Sequence, residues 1–303
     1  VILEVTQQLS SNGTPREPMI CCSGVTRSAK DEQTSTNIKV VPEEALFKSE
    51  PEPHWFGNEP NPTPGQRDGW SNKNWLKSRF HFNFAEYSHG PSSFGVLRVM
   101  NDDLVQPMRG FGSHPHRDME IVTFIVDGQL THKDSTGTEE TIGRGSIQFM
   151  TAGTGIRHSE HNLQPRTPLR FVQMWVVPRR RGLRPNYGSM LGDEMAAASR
   201  RDHWAQVVSD VEGPVPAPVQ INQDCSMFVA ELSPNASAPS FDLQDGRQAY
   251  MLCLEGTVWI RGDEGGKHIL LRRHDAAELT GGLALDLLAG PEGTFALLVE
   301  MSR

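Results

Sequence analysis

The sequence predicts an all-β protein built from two tandem β-barrels, and three observations carry that expectation. From Trp75 onward, short runs alternate apolar and polar residues at the two-residue period of a strand, with turn residues between them. This texture breaks off near Leu183 and returns at Trp204, leaving two β blocks of similar length. Each block holds an apolar strand closed by an acidic residue and a glycine, Val126-Asp127-Gly128 and Leu254-Glu255-Gly256, which suggests duplication of one unit.

Taken in order, residues 1–73 are polar and rich in Ser, Thr, Pro, Asn and Glu, with prolines at 51, 53, 60, 62 and 64. Such a composition cannot bury much apolar surface by itself and reads as a wrapping arm. To be ordered it needs a surface, either its own barrels or a partner protein. Residues 74–182 form the first barrel, with strands expected at Phe80–Phe84, Gly95–Val99, Glu120–Val126 and Leu169–Val177. Glycines 137, 143, 145, 153 and 155 punctuate its later strands. Residues 183–203 read as a linker with one helix-like patch, Asp193–Ala198. Residues 204–303 form the second barrel, with strands expected at Met227–Ala230, Gln248–Leu254, Gly256–Ile260, Leu283–Leu287 and Thr294–Val299.

Composition limits the function classes. The 303 residues carry a formal net charge of −8, which argues against nonspecific phosphate binding and hence against direct nucleic-acid contact. The cluster Arg179-Arg180-Arg181 with Arg184 runs against this trend and reads as a solvated linker face. There is no run of 18 apolar residues, so no membrane-spanning helix is expected. Cys21, Cys22, Cys225 and Cys253 form no CxxC pair and no disulfide framework, so a reducing compartment is expected. That places the protein inside the cell, in cytoplasm or nucleus. The chain opens at Val1, so an organelle also stays open if a targeting segment once preceded it.

The chemistry concentrates between Gly112 and Asn162. His114-Pro115-His116 and His158-Ser159-Glu160 each place two candidate ligands at i and i+2, which share a face in a strand. Three imidazoles and one carboxylate suit a divalent first-row metal with open coordination positions. Aligning Gly128 with Gly256 sets His114 and His116 against Asp242 and Gln244, so the metal reading belongs to the first barrel only. Glu120 has the parity of His114 and His116 and is the alternative carboxylate. His161 has the opposite parity to His158 and Glu160 and is expected to point away. Arg117 and Asp118 read as a local ion pair or surface groups, and His132 as a solvent-facing histidine.

These residues carry a resemblance. His114-Pro115-His116-Arg117, Met150-Thr151-Ala152-Gly153-Thr154-Gly155 and His158-Ser159-Glu160 are similar to the two motifs of the cupin superfamily. Within it they closely resemble pirin and the bacterial pirin-like bicupins, together with Phe80–Phe84 and Arg98–Asp102. The likeness spans roughly residues 75–190; the linker and second barrel fit by architecture, and the arm lies outside it. Gly153 stands where many cupins carry proline, and the spacings before His114 and Gly153 depart from the general cupin pattern in the manner of pirins. The resemblance implies a bicupin with one iron site, Fe(II)/Fe(III), at His114, His116, His158 and Glu160, other divalent first-row metals being alternatives. Many cupins take their carboxylate ligand from the position of Glu120, whereas pirin-like proteins resemble the Glu160 arrangement.

Family members are described as quercetin 2,3-dioxygenases, and animal pirin also as a nuclear co-regulator. The expected function is therefore an iron-dependent dioxygenase that takes a flavonol-type aromatic substrate and O2, with Glu160 as general base. Phe82, Met119, Phe149 and Met150 are the expected cavity lining. The competing expectation is a non-catalytic, redox-responsive metal protein that docks a partner through residues 1–73. An isomerase or epimerase of the broader cupin type would have no use for the full ligand set.

Overall fold

The computed structural model describes residues 37–59, 75–262 and 267–303. The first barrel is made of two facing sheets. One has seven strands, ordered Asn186–Met190, Ile147–Thr151, Glu120–Asp127, Leu169–Val176, Leu97–Val105, Leu76–Phe80 and Phe47–Ser49. The other has four, ordered Arg109–His116, Ile156–Asn162, Gln129–Asp134 and Glu139–Gly143. The second barrel is one nine-stranded sheet dominated by the long strands Arg247–Arg261 and Leu283–Ser302. The all-β, two-barrel expectation holds.

Strand alternation explains how one sheet serves two cores. Along Leu169–Val176, Val172 and Met174 face the second barrel and share a core with Tyr250, Leu252, Phe295 and Leu297. The alternate residues Leu169 and Phe171 face inward with Trp75, Ile125 and Leu130. Gln173 and Trp175 continue that inward row, so the interior of the first barrel changes from apolar to polar along a single strand. A buried ion pair of the first barrel also reaches across to the second. Arg170 binds Asp102 through two bonds of 2.8 and 2.7 Å and donates to the Leu254 carbonyl at 2.6 Å.

The segment read as a linker does more than connect. Asn186–Met190 pairs with Ile147–Thr151 as the edge strand of the first barrel. The helix Glu194–Arg200 follows, its first turn capped by the Asp193 carboxylate, which accepts from the Ala196 amide at 2.9 Å. Of the arm, Ile38–Val41 pairs with Ala276–Thr280 of the second barrel and Phe47–Ser49 with Leu76–Phe80 of the first. The surface these arm residues lie on is therefore the protein's own. Calls on residues 1–36 and 60–74, including Cys21 and Cys22, lie outside the described residues. Cys225 and Cys253 are buried free thiols.

Candidate metal centre

His114 and His116 lie on Arg109–His116 and His158 and Glu160 on the neighbouring strand Ile156–Asn162. His158 pairs with His114, whereas Glu160 pairs with Phe111, so the register slips by one residue between them. This bulge re-phases the strand, letting His114, His116 and Phe111 all serve the face that His158 and Glu160 present. The His114, His116 and His158 rings then stand 4.8, 4.5 and 4.9 Å apart, centroid to centroid.

The donor atoms fit a metal ion. His114 Nδ1 lies 2.8 Å from the Gly112 carbonyl, which fixes the proton there and leaves Nε2 as the free lone pair. His116 Nε2 and both ring nitrogens of His158 are buried without a hydrogen-bond partner. Buried polar atoms normally find partners, and orphaned imidazole nitrogens clustered at one point are what a bound cation would satisfy. Burial, reinforced by the neighbouring histidines, lowers His116 to about 3 and His158 to about 2. Both are neutral at pH 7, the form that coordinates metals.

Glu160 reaches this cluster from the far side of His158. Its carboxylate groups with His158 and His132 within 4.8 Å, while His114, His116 and His158 form the other such group. Three strands of the seven-stranded sheet supply its donors. Gln148 Nε2 donates to Oε1 at 2.9 Å, Gln173 Nε2 to Oε2 at 2.7 Å, and Thr123 Oγ1 approaches Oε1 at 3.4 Å. Gln173 cannot turn freely, because its own Oε1 accepts from the Trp175 indole at 3.0 Å. Trp175 in turn packs edge-on against His116 at 4.7 Å.

Glu120 lies elsewhere, which corrects the parity argument. Between His116 and Glu120 the chain turns at Asp118 in the left-handed region (φ 50°), so strand alternation does not carry across. Glu120 falls in row with Val122 and Phe124 and faces the second barrel, accepting from Thr151 at 2.8 Å and Asn222 at 3.2 Å. Gly153 holds the same corner. Its carbonyl accepts from the Asp118 amide, and a Cβ there would sit 2.0 Å from the Leu183 carbonyl oxygen.

His132 is not solvent-facing. It is 0% exposed, its ring stacks on Tyr187 at 4.5 Å, and its Nε2 lies 3.1 Å from Asp134 Oδ2. The signal was present in Leu130-x-His132-x-Asp134, which puts His132 in row with an inward leucine. Tyr187 was missed because it sits in the presumed linker. Its hydroxyl donates to Glu140 at 2.7 Å and lies 3.1 Å from Gln148 Oε1, tying the edge strand to the glutamine that holds Glu160. His161 belongs to neither metal-suited group. Arg117 and Asp118 form a loose surface pair at 3.5 Å. Arg180 pairs with Glu212 on an exposed face, whereas Arg179 forms a half-buried, two-bonded pair with Asp210.

The expected lining also needs correction. Phe82 and Phe149 belong to the core between the barrels, and Met119 and Met150 to a small cluster around Ile121. A neighbouring cavity, lined by Trp55, Phe56, Phe84, Phe111, Asp103 and Gln173 among others, reaches the carboxylate only through Gln173, the donor to Glu160 Oε2.

Comparison with known proteins agrees with this layout. Residues 64–176 match the family model described as Pirin, and residues 206–301 the model of a quercetinase C-terminal cupin domain. A pirin-like protein of Caulobacter vibrioides is 35% identical over 201 residues, 66% of this chain and 84% of that one. A quercetin 2,3-dioxygenase of Escherichia coli K12 is 34% identical over 199 residues, 65% and 78% of the two chains. The crystal structure of the Escherichia coli bacterial pirin YhhW in complex with nickel(II) superposes with a TM-score of 0.69 at 25% identity, covering 88% of this chain and 99% of that one. Among the described residues no helix is long and apolar enough to cross a membrane.

Proposed function

The chain belongs to the pirin family, and from that premise we propose a metal-dependent dioxygenase that takes a flavonol-type enol, with iron at His114, His116, His158 and Glu160. The observation that carries this reading is the convergence of three imidazoles, two of which, His116 and His158, hold buried ring nitrogens without partners. Relatives bearing the name quercetin 2,3-dioxygenase support the substrate class, and the nickel(II) complex of YhhW supports a first-row metal. A bound ferrous ion would supply Lewis acidity and a redox partner for O2.

The protein's own groups do the rest. His116 and His158 offer neutral lone pairs, which keeps the charge of the site low and lets it tolerate an anionic ligand beside Glu160. The Glu160 carboxylate, grouped with His158, is the base in this reading and takes the enol proton as the substrate seats. Gln148 and Gln173 aim that carboxylate, holding one oxygen each. Phe56 packs edge-on against both Phe111 and His114 and shields that side of the histidine from water. The buried free thiols Cys225 and Cys253 fit the reducing interior of a cell.

The test is quercetin-dependent oxygen uptake by anaerobically iron-loaded protein. Uptake above the metal-free background, lost in His158→Ala and in Glu160→Gln but retained in Glu120→Gln, supports the assignment. Full iron occupancy without uptake would remove the dioxygenase reading and leave a metal-bearing protein of other function.

A further inference from the structure

The interior of the second barrel is closed. Val258, Ile260, Leu285 and Leu287 fill it with the rest of an apolar core, so a ligand of this barrel has to sit on its outside. Strand alternation turns the residues between them outward. There Trp259 lies opposite Leu288, and Arg261 opposite Asp286, on the paired strands Arg247–Arg261 and Leu283–Ser302. The chain before Phe241 rises along one side of this face, because Ser237 bridges to Leu288 and the Ala236 carbonyl accepts from the Ala289 amide at 2.9 Å. His268, just ahead of the strand Ile269–Arg272, borders the other side. Together these residues enclose an open hollow of about 310 Å³.

The floor of the hollow is divided. Trp259 and Leu288 form an apolar half, 40% and 39% exposed, and two large apolar side chains left open side by side mark a contact surface. Arg261 and Asp286 form the polar half, joined from Nη2 to Oδ2 at 2.6 Å. That bond, with a smaller contribution from Ser240, holds the Asp286 carboxyl below its ordinary range, so the pair is ionised and neutralises itself. Arg261 Nε is buried without a hydrogen-bond partner. A self-neutralised pair does not favour a charged ligand, yet it sets strong donors beside an acceptor. A hydroxyl, donor and acceptor at once, answers both. Ser237 and His268 continue this polar rim on two further sides of the apolar patch. The arrangement fits a ring with an apolar face and hydroxyls around its edge. Volume agrees, since an apolar cavity of about 150 Å³ takes one benzene ring and ligand sites begin near 300 Å³.

We propose that this outer face of the second barrel is a binding site for a neutral pyranose ring. The C–H face of the sugar lies on Trp259 and Leu288, adjacent hydroxyls bridge Asp286 and Arg261, and Ser237 and His268 meet the hydroxyls at either end. A phenol fits less well, because most of its edge is C–H and leaves the polar rim unanswered. The site is separate from the histidines of the first barrel and does not rest on the dioxygenase reading.

Calorimetric titration of the full chain with the methyl β-pyranosides of glucose, galactose and mannose tests this, with phenol as the flat-ring comparison. At least one pyranoside is expected to bind with a dissociation constant on the order of 1 mM, the value that about thirteen non-hydrogen atoms reach at ordinary ligand efficiency. Trp259→Ala is expected to weaken binding at least about tenfold and Asp286→Asn at least about fivefold, while His158→Ala leaves it unchanged. No pyranoside bound up to about 20 mM, phenol bound in preference, affinity kept in Trp259→Ala, or affinity lost in His158→Ala would each overturn the proposal. Trp259 and Asp286 stand on the outer face, so both variants keep the barrel core, and thermal unfolding at the wild-type temperature verifies that each is folded.

Discussion

Replacing Gln173 by methionine tests whether Glu160 is a held ligand or merely a buried carboxylate. The substitution keeps length and volume but removes the 2.7 Å donor to Glu160 Oε2 and the acceptor of the Trp175 indole. A hydrogen bond to a charged group contributes about 1.5–3 kcal/mol. The remaining donors, Gln148 at 2.9 Å and Thr123 at 3.4 Å, both address Oε1, so Oε2 is left without support and the carboxylate can rotate. Loss of such an outer partner lowers metal affinity by about 10–100-fold, which is consistent with that energy at about 1.4 kcal/mol per decade. The assay is competition with a chromogenic chelator for Fe(II) and for Ni(II) under anaerobic conditions, alongside thermal unfolding of the metal-free protein. Unchanged or tighter metal binding by a folded Gln173→Met variant would refute the view that Gln173 positions Glu160 for coordination.

Two further outcomes follow from buried charge. Arg170→Met leaves Asp102, 1% exposed, without its bidentate partner and removes the donor to the Leu254 carbonyl of the second barrel, and should cost about 3–5 kcal/mol in denaturant unfolding; a loss below about 1 kcal/mol would mean these bonds contribute little to the fold. Burial, with the nearby Asp102 and Glu160 charges, raises Asp103 from 3.8 to about 8, so the folded state binds its proton more tightly than the unfolded chain does. The stability this confers is complete below about pH 4 and declines by about 1.4 kcal/mol per pH unit until pH 8. Asp103→Asn should flatten that part of the stability–pH curve, and a slope identical to the wild type would show that Asp103 does not hold a proton in the fold.

Much of the architecture was legible because strands announce themselves by alternation. Glu120–Val126 and Leu169–Val177 read correctly as strands, and Gly128 sits at a turn with positive φ, whereas Gly256, also at positive φ, marks a bulge inside the continuous strand Arg247–Arg261. The i, i+2 histidine pair was visible for the same reason. What failed was arithmetic carried across an interruption. Parity broke at Asp118, sending Glu120 to the other face, and it was re-phased by the bulge near Gly112, which no residue pattern marks. His132 was misjudged from its polarity, although Leu130 and Asp134 fix its row. Tyr187 and the arm were illegible because their roles come from pairing with distant edges: Asn186–Met190 has weak strand patterning, and Phe47–Ser49 is only three residues long.

The arm's first strand has a consequence for how the protein is made. Ile38–Val41 leaves the ribosome early, yet its partner Ala276–Thr280 lies almost at the other end of the chain. At about 5–20 residues per second, the intervening roughly 240 residues take on the order of 12–50 s to synthesise. Throughout that interval Ile38–Val41 has no edge to join, although Phe47–Ser49 can already pair with the first barrel, which can close long before the second exists. Until Ala276–Thr280 has been made, the nascent chain carries an unpaired strand that another sheet edge could capture.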